Sequence, residues 1–455
     1  MKFLKFITIS LFFVNHFCFT NFSELPEPVP GQKPLLVVLI MVKNEQAVME
    51  KTLQPFFQAG LQHYVILDTG STDGTVKLTR QLFKKYNISN GHVIEKPFVS
   101  FAVSRNYAIR SAEHIFPGAK FFLMIDAEWY FNNVNGLLDF CEKNKNNESD
   151  AFFIKRVIKQ YSSSDIVSWL FRAHAGVKFF GAVHECINKK ADIMLPEDVF
   201  IVYDPSDYGK GKTSERLHRD VNLLLKEHEE NPRNLRTFFY LGQTYSCLKD
   251  YKKAIYWYSK RCTNIRYDEE NYMAHYRLGL LYGLSKMWPE AISYFCRATY
   301  IIPSRIDALA SMAQHFAENK NYDCAFLLAK KATEIQLPSL IFFMVESRMV
   351  NFLRYSILAE SAWHLGEYEV GLASSMDGIE KNPNNQKLMS MAFVLDGAIN
   401  HSSCSALDRS KWCDWCNGKL WMSRASWLNF ACLSNASYRS NRCNGSGGIA
   451  WRNWF

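Results

Sequence analysis

The chain has 455 residues, 48% of them apolar, which is too long for one ordinary domain and apolar enough to exclude disorder as its main state. Its net charge of +9, from 53 basic and 44 acidic residues, is thin for this length and forms no long basic block, so nucleic acid is excluded as a partner. The 12 cysteines are scattered through apolar patterns, which argues against the dense disulfide framework of a small secreted domain.

Residues 1–33 read as a leader. Lys2 and Lys5 precede a run rich in Phe, Ile and Leu, and Pro26, Pro28 and Pro30 close it. That outline fits a signal peptide or an uncleaved membrane anchor, with membrane association through the N-terminus, and a cytoplasmic greasy leader is the alternative. Asn15 and His16 interrupt the run, and Cys18-Phe19-Thr20 makes a poor cleavage site.

From Leu35 the pattern alternates. Strands are predicted at Leu35 to Met41, Tyr64 to Leu67, 92–94 and Phe121 to Ile125, with helices over 46–58, 74–86 and 102–115 between them. Such alternation predicts a doubly wound, Rossmann-like, mostly parallel sheet, which binds ligands beyond the carboxyl ends of its strands. Three strand ends carry acids: Val42-Lys43-Asn44-Glu45, the run Asp68 to Thr75, and Asp126-Ala127-Glu128. One such acid is commonly a turn former or helix cap, whereas three at neighbouring strand ends point to a site. Asp126 and Glu128 fall on the same side of an extended segment and would suit a hard divalent cation, Mn2+ or Mg2+. A solvated pair at a strand end is the bland alternative.

Val42 to Glu45, Val65 to Thr75, Ser104-Arg105-Asn106, Met124 to Glu128 and Val183-His184-Glu185 stand in the order and spacing of a known family. Over residues 34–205 the chain resembles the family 2 glycosyltransferases of GT-A fold, in the bacterial branch that carries a tetratricopeptide array after the catalytic domain. The resemblance implies that Asp68 reads the base, with uridine favoured, and that Val42, Asn44 and Glu45 line the nucleoside pocket. It also implies that Asp126 faces ribose and metal, that Glu128 binds the metal and that Arg105 neutralises the pyrophosphate. The family usually has Asp where Glu128 stands, and Trp129 follows here in place of a further acid.

An inverting transfer from a nucleotide-diphosphate sugar develops charge on the departing diphosphate and needs a base for the acceptor hydroxyl. Glu185 is the candidate base and His184 a metal or phosphate partner; a surface Glu and a structural His are the plainer readings. The acceptor would be a protein, glycan or lipid presented by the repeats, with donor chemistry confined to residues before 186. A catalytically impaired GT-A protein working as a repeat-based scaffold is the alternative. A nucleotidyltransferase is disfavoured, since no glycine-rich, lysine-containing loop follows the first strand.

Residues 206–230 read as a linker and connecting helix, with Leu217, Val221, Leu224 and Leu225 on one stripe. Over 231–397 an all-α tetratricopeptide solenoid is predicted. Leu241, Gly242, Tyr245, Ala254 and Tyr258 recur as Leu278, Gly279, Tyr282, Ala291 and Phe295, and weaker units begin near Met312 and Leu358. Cys247, Cys262, Cys296 and Cys324 read as core residues of these helices. Residues 398–455, rich in Ser, Asn, Trp and Cys, read as a poorly ordered tail, or as a zinc knuckle built on Cys413 and Cys416.

Overall fold

The computed structural model describes residues 25–28, 31–159, 163–204, 213–263, 268–337 and 345–400. Nearly all of the expected leader, the segment 205–212 and the tail beyond 400 lie outside the described residues. No helix among the described residues is long and apolar enough to cross a membrane.

The first part of the chain runs β1 (Leu36–Val42), α1 (Met49–Gln58), β2 (His63–Asp68), α2 (Thr75–Lys85), β3 (Asn90–Glu95), α3 (Phe101–Ile115) and β4 (Phe121–Asp126). It continues through β5 (Trp129–Asn132), α4 (Val134–Asn144), β6 (Ala151–Ile158), β7 (Ser163–Arg172), β8 (Phe179–Phe180), β9 (Cys186–Ile187), β10 (Ala191–Met194) and β11 (Phe200–Tyr203). Both faces of β1 are buried, so it reads as an unbroken apolar run. Side chains alternate across it: Val38 and Ile40 pack with Leu53 and Phe56 of α1, while Val37 and Leu39 pack with Ala108, Ala112 and Ile115 of α3. The sheet is thereby sandwiched between helical layers.

The strands join in the order β3-β2-β1-β4-β7-β6-β11-β5, with β10 beside β6. The half containing β3, β2, β1 and β4 is parallel. In the other half β6 pairs in parallel with β10 and β11, whereas β4 with β7, β6 with β7 and β11 with β5 are antiparallel, so the sheet is mixed while its parallel pairs remain the majority. The cause is connection length. β6 and β7 are joined by too few residues for the crossover that a parallel pair requires.

Helices follow: α5 (Thr213–Glu230), α6 (Leu235–Cys247), α7 (Tyr251–Arg261), α8 (Glu269–Leu284), α9 (Trp288–Ile301), α10 (Asp307–Glu318) and α11 (Tyr322–Glu334). A π-helical turn at Met349–Leu353 leads into α12 (Arg354–Leu365), α13 (Tyr368–Lys381) and α14 (Gln386–Asn400). α6 packs on α7 and α8 on α9 as hairpins. In each a glycine meets an aromatic ring: a Cβ on Gly242 would lie 2.7 Å from Tyr258, and one on Gly279 would lie 2.5 Å from Phe295. These are tetratricopeptide-type repeats, in which small residues admit close helix approach. The cysteine expectation is corrected here. Cys247 and Cys296 are exposed and Cys262 and Cys324 half-buried, while the seams are filled by the rings of Tyr258 against Gly242 and Phe295 against Gly279.

The chain divides into two compact units. One takes the described residues up to Leu309 with those of 335–347, and the other takes Ala310–Glu334 and the residues from Arg348 onward. The expected join at 205/206 therefore lies inside the first unit. Within the second, Arg354 donates to the carbonyl of Ala332 at 2.9 Å, and Met391 and Leu395 pack against Ala359.

Candidate functional site

The loops after β1 and β2 are bonded into one structure. Asn44 takes up a left-handed conformation, φ 58°, from which its Oδ1 accepts from the backbone N–H of Thr72 at 2.7 Å. Its own N–H donates to Ser71 Oγ at 2.8 Å, and the Glu45 N–H donates to Thr75 Oγ1 at 2.8 Å. Asn44, expected in the nucleoside pocket, thus also fastens the two loops together. Asp68 is buried, and its Oδ1 accepts from the N–H groups of Gly70 and Ser71, both at 2.9 Å. That oxygen forms the turn. The other, Oδ2, is buried and receives no hydrogen bond.

Beyond β4, Asp126 and Glu128 flank Ala127, whose carbonyl accepts from the Thr52 hydroxyl of α1. Glu128 and Glu45 both act on the Tyr130 hydroxyl. Burial first, then Glu128, Asp204 and Glu45, push its pKa up to about 12. Acids from the first and fourth strand ends therefore share one neighbourhood.

Arg105 of α3 is 2% exposed and joins the parts. Its Nη2 donates to Asp126 Oδ1 at 2.7 Å and its Nε to Glu185. Burial opposes its charge, but the Asp126 and Glu185 carboxylates outweigh that and raise its pKa further. The resemblance implied a guanidinium facing pyrophosphate. In the structure it lines the cavity, pairs with two carboxylates, stacks at 4.3 Å over Trp169 and keeps a buried Nη1 without a hydrogen bond.

Trp169 stacks in turn on Trp129, with ring centroids 4.6 Å apart, and Arg156 lies 4.8 Å over Trp129 while its Nε donates to Asp165 at 2.9 Å. Trp129, the departure from the family pattern, is thus buried inside an arginine and tryptophan column.

The segment bearing His184 and Glu185 is held by the helices. Arg236 of α6 donates to the His184 carbonyl at 2.8 Å and pairs with Glu270 of α8. Glu227 of α5 accepts from the Ala182 N–H at 2.9 Å and from Thr237 Oγ1 at 2.8 Å. The His184 ring stacks on Tyr240 with centroids 4.4 Å apart. His184 is open to a concavity, and the protein wrapped around that concavity, followed by Arg236, Arg216 and Arg277, lowers its pKa to about 4. It is therefore neutral near pH 7. Glu185 has a side chain 7% exposed.

One cavity of about 1560 Å³ gathers these groups. Val42, Asn44 and Glu45, then Arg105, Asp126 and Glu128, then His184 and Glu185 all line it; Asp68 is buried and does not line it, although its neighbour Thr69 does. Asp126, Glu128 and His184 form no preassembled cage: among the described residues no group of three or more His, Cys, Asp or Glu side chains is placed to hold a metal ion. Sequence reasoning missed the opposite wall, made by Arg216 and Arg219 of α5 and Arg236 and Tyr240 of α6. Nothing local in the sequence marks these residues, since only the docking of the helices brings them there.

No family model matches the chain, and no curated protein matches it. Among solved structures it is similar to MamA, at 18% identity and a TM-score of 0.31 over 40% of this chain and 96% of that one. It is similar also to YrrB, titled a TPR protein with an unusual peptide-binding site, at 16% identity and a TM-score of 0.32 over 46% and 97% of the two chains. The C-terminal part of a TPR repeat-containing protein from Cytophaga hutchinsonii gives 12% identity and a TM-score of 0.33 over 44% and 73%. Likenesses this slight say nothing of what the chain does.

Proposed function

We propose that the protein is a GT-A-type, inverting glycosyltransferase that moves a sugar from a nucleotide-diphosphate sugar, a UDP-sugar by preference, to a protein, glycan or lipid acceptor. The observation that carries this reading is the convergence of Glu45, Asp126, Glu128 and Glu185, from separate chain segments, on one cavity. The buried, unbonded Oδ2 of Asp68 supports it, because an acceptor kept from water lacks a donor that a base N–H would supply.

Mn2+ or Mg2+ fits the donor set. Asp126 uses one oxygen on Arg105 and keeps the other free of any described donor, Glu128 adds a second hard ligand, and neutral His184 offers a nitrogen lone pair. Two carboxylates suffice for cations that retain waters and bind substrate phosphates. When bound, such an ion offsets charge on the diphosphate. Arg105 holds Asp126 and Glu185 in a fixed relation, and Glu185 Oε2, which has no described hydrogen-bond partner, would take the acceptor's proton.

The test is turnover of a panel of UDP-sugars by the full-length chain with Mn2+. Glu185→Gln is expected to lower turnover by ~10²-fold or more with nucleotide affinity nearly unchanged. If no nucleotide sugar binds or turns over, the proposal fails. One feature favours a second reading, that of a catalytically impaired scaffold: the Glu185 carboxylate is nearly buried and paired with Arg105. In that case nucleotide binds and no turnover accompanies it.

A further inference from the structure

A diphosphate needs positive charge that is not already neutralised. Six arginine and lysine side chains line the cavity among the described residues: Lys43, Arg105, Arg156, Arg216, Arg219 and Arg236. Four are committed. Arg105 pairs with Asp126 and Glu185, Arg156 with Asp165, Arg219 with Asp220 at 3.5 Å, and Arg236 with Glu270. Lys43 and Arg216 form no ion pair with a described residue, and both are exposed.

Freeing the Nε and Nη2 of Arg105 for a ligand would strand two carboxylates, and breaking a buried pair of this kind is strongly destabilising, so Arg105 has only its Nη1 to offer and its charge is already offset. Arg216 bears no such cost. It stands in the first turn of α5, and its charge acts on Tyr203, His184 and Asp220. Tyr203 also lies in the field of Asp126 and Glu128, and all four residues line the one cavity, so Arg216 and the strand-end acids are gathered around the same tyrosine.

Resting on the nucleotide-sugar reading above, we infer that Arg216, a residue of the helical half, binds the donor's diphosphate in the role that the resemblance implied for Arg105. Its planar fork suits two phosphate oxygens at once, and Lys43 supplies a second cation from the loop after β1. The helices then complete the donor site itself, and donor chemistry is not confined to residues before 186.

The experiment is calorimetric titration of the full-length chain, with Mn2+ present, by uridine, UMP and UDP. Wild type is expected to bind UDP more tightly than UMP and UMP more tightly than uridine. Arg216→Gln should weaken UDP by about tenfold or more and leave uridine unchanged, with Arg216→Lys recovering part of the loss and Arg110→Gln, at an exposed residue of α3 outside the cavity, behaving as wild type. Circular dichroism checks that the variants are folded, as expected for an exposed residue that forms no ion pair with a described residue. If UDP affinity in Arg216→Gln stays within about twofold of wild type while wild type still binds uridine, the nucleotide reading stands and the inference about Arg216 is overturned. Equal weakening of uridine and UDP also overturns it. If wild type binds none of the three, the nucleotide reading itself falls and takes the inference with it.

Discussion

Asp126 and Glu128 differ in what already holds them, since Asp126 has one oxygen on Arg105 whereas Glu128 stands near two tyrosine hydroxyls, those of Tyr130 and Tyr203. Removing the Glu128 charge should therefore disturb ligand binding without loosening the Arg105 cluster. UDP at 100 times its dissociation constant should stabilise wild type by about 2.7 kcal/mol in Mn2+. Glu128→Gln should lose the cation-dependent part of that gain and keep the ligand-free melting temperature; stabilisation equal to wild type in this variant would remove Glu128 from the metal site. Histidines give a second prediction. Burial, with His92 second, lowers the pKa of His63, burial alone lowers that of His92, and His184 is held at about 4. Each folded value lies below the ordinary 6.5, so the unfolded chain binds more protons in acid. The stabilisation is complete above 6.5 and is lost as pH falls from there towards the folded values, for His184 down to about 4. Urea unfolding midpoints should accordingly fall between pH 7 and pH 5, and His92→Gln, at a half-buried ring, should flatten that fall.

At the scale of elements, the repeats were legible because each hairpin writes its seam as a glycine and an aromatic residue at fixed positions. Gly279→Ala would set a methyl 2.5 Å from the Phe295 ring, and overpacking of this kind should cost about 1–3 kcal/mol in denaturant unfolding. Gly397→Ala is the contrast. Nothing lies within 4 Å of its Cβ position in α14, so alanine should be neutral or stabilising by up to about 1 kcal/mol. The strands β1, β2 and β4 were legible for a related reason, since strands covered on both faces are apolar along their buried stretches. Harder to read were β5, β7 and β11. β5 is four residues long and leaves β4 after only Ala127 and Glu128 to pair with β11 at the far edge of the sheet. No period over four residues announces that route. Of the site, the acids could be found because each sits beside a strand end in sequence. The partners of Arg105 could not, being 21 and 80 residues away, and Trp129 looked like a defect until Trp169 supplied its stack.

At the scale of the molecule, the first compact unit joins the sheet to the early helices through the segment around Ala182 to Cys186. A chain cut after Asp204 would lose Glu227, Arg236 and Tyr240 and with them every described contact that fixes His184 from the helical side. Such a truncation should melt well below the full chain and bind UDP poorly; binding equal to the full chain would mean that the sheet holds the donor unaided. The bond from the Ala182 N–H to Glu227 Oε1 offers a finer reading of the same junction. A backbone amide whose acceptor lies on another element can exchange its hydrogen with solvent only when the two elements part. Deuterium uptake at Ala182 would therefore act as a clock for separation of helix and sheet. It should slow when a ligand bridges Arg216 and the strand-end acids, and it should quicken in Thr237→Val, which removes the hydroxyl that steadies the other oxygen of Glu227.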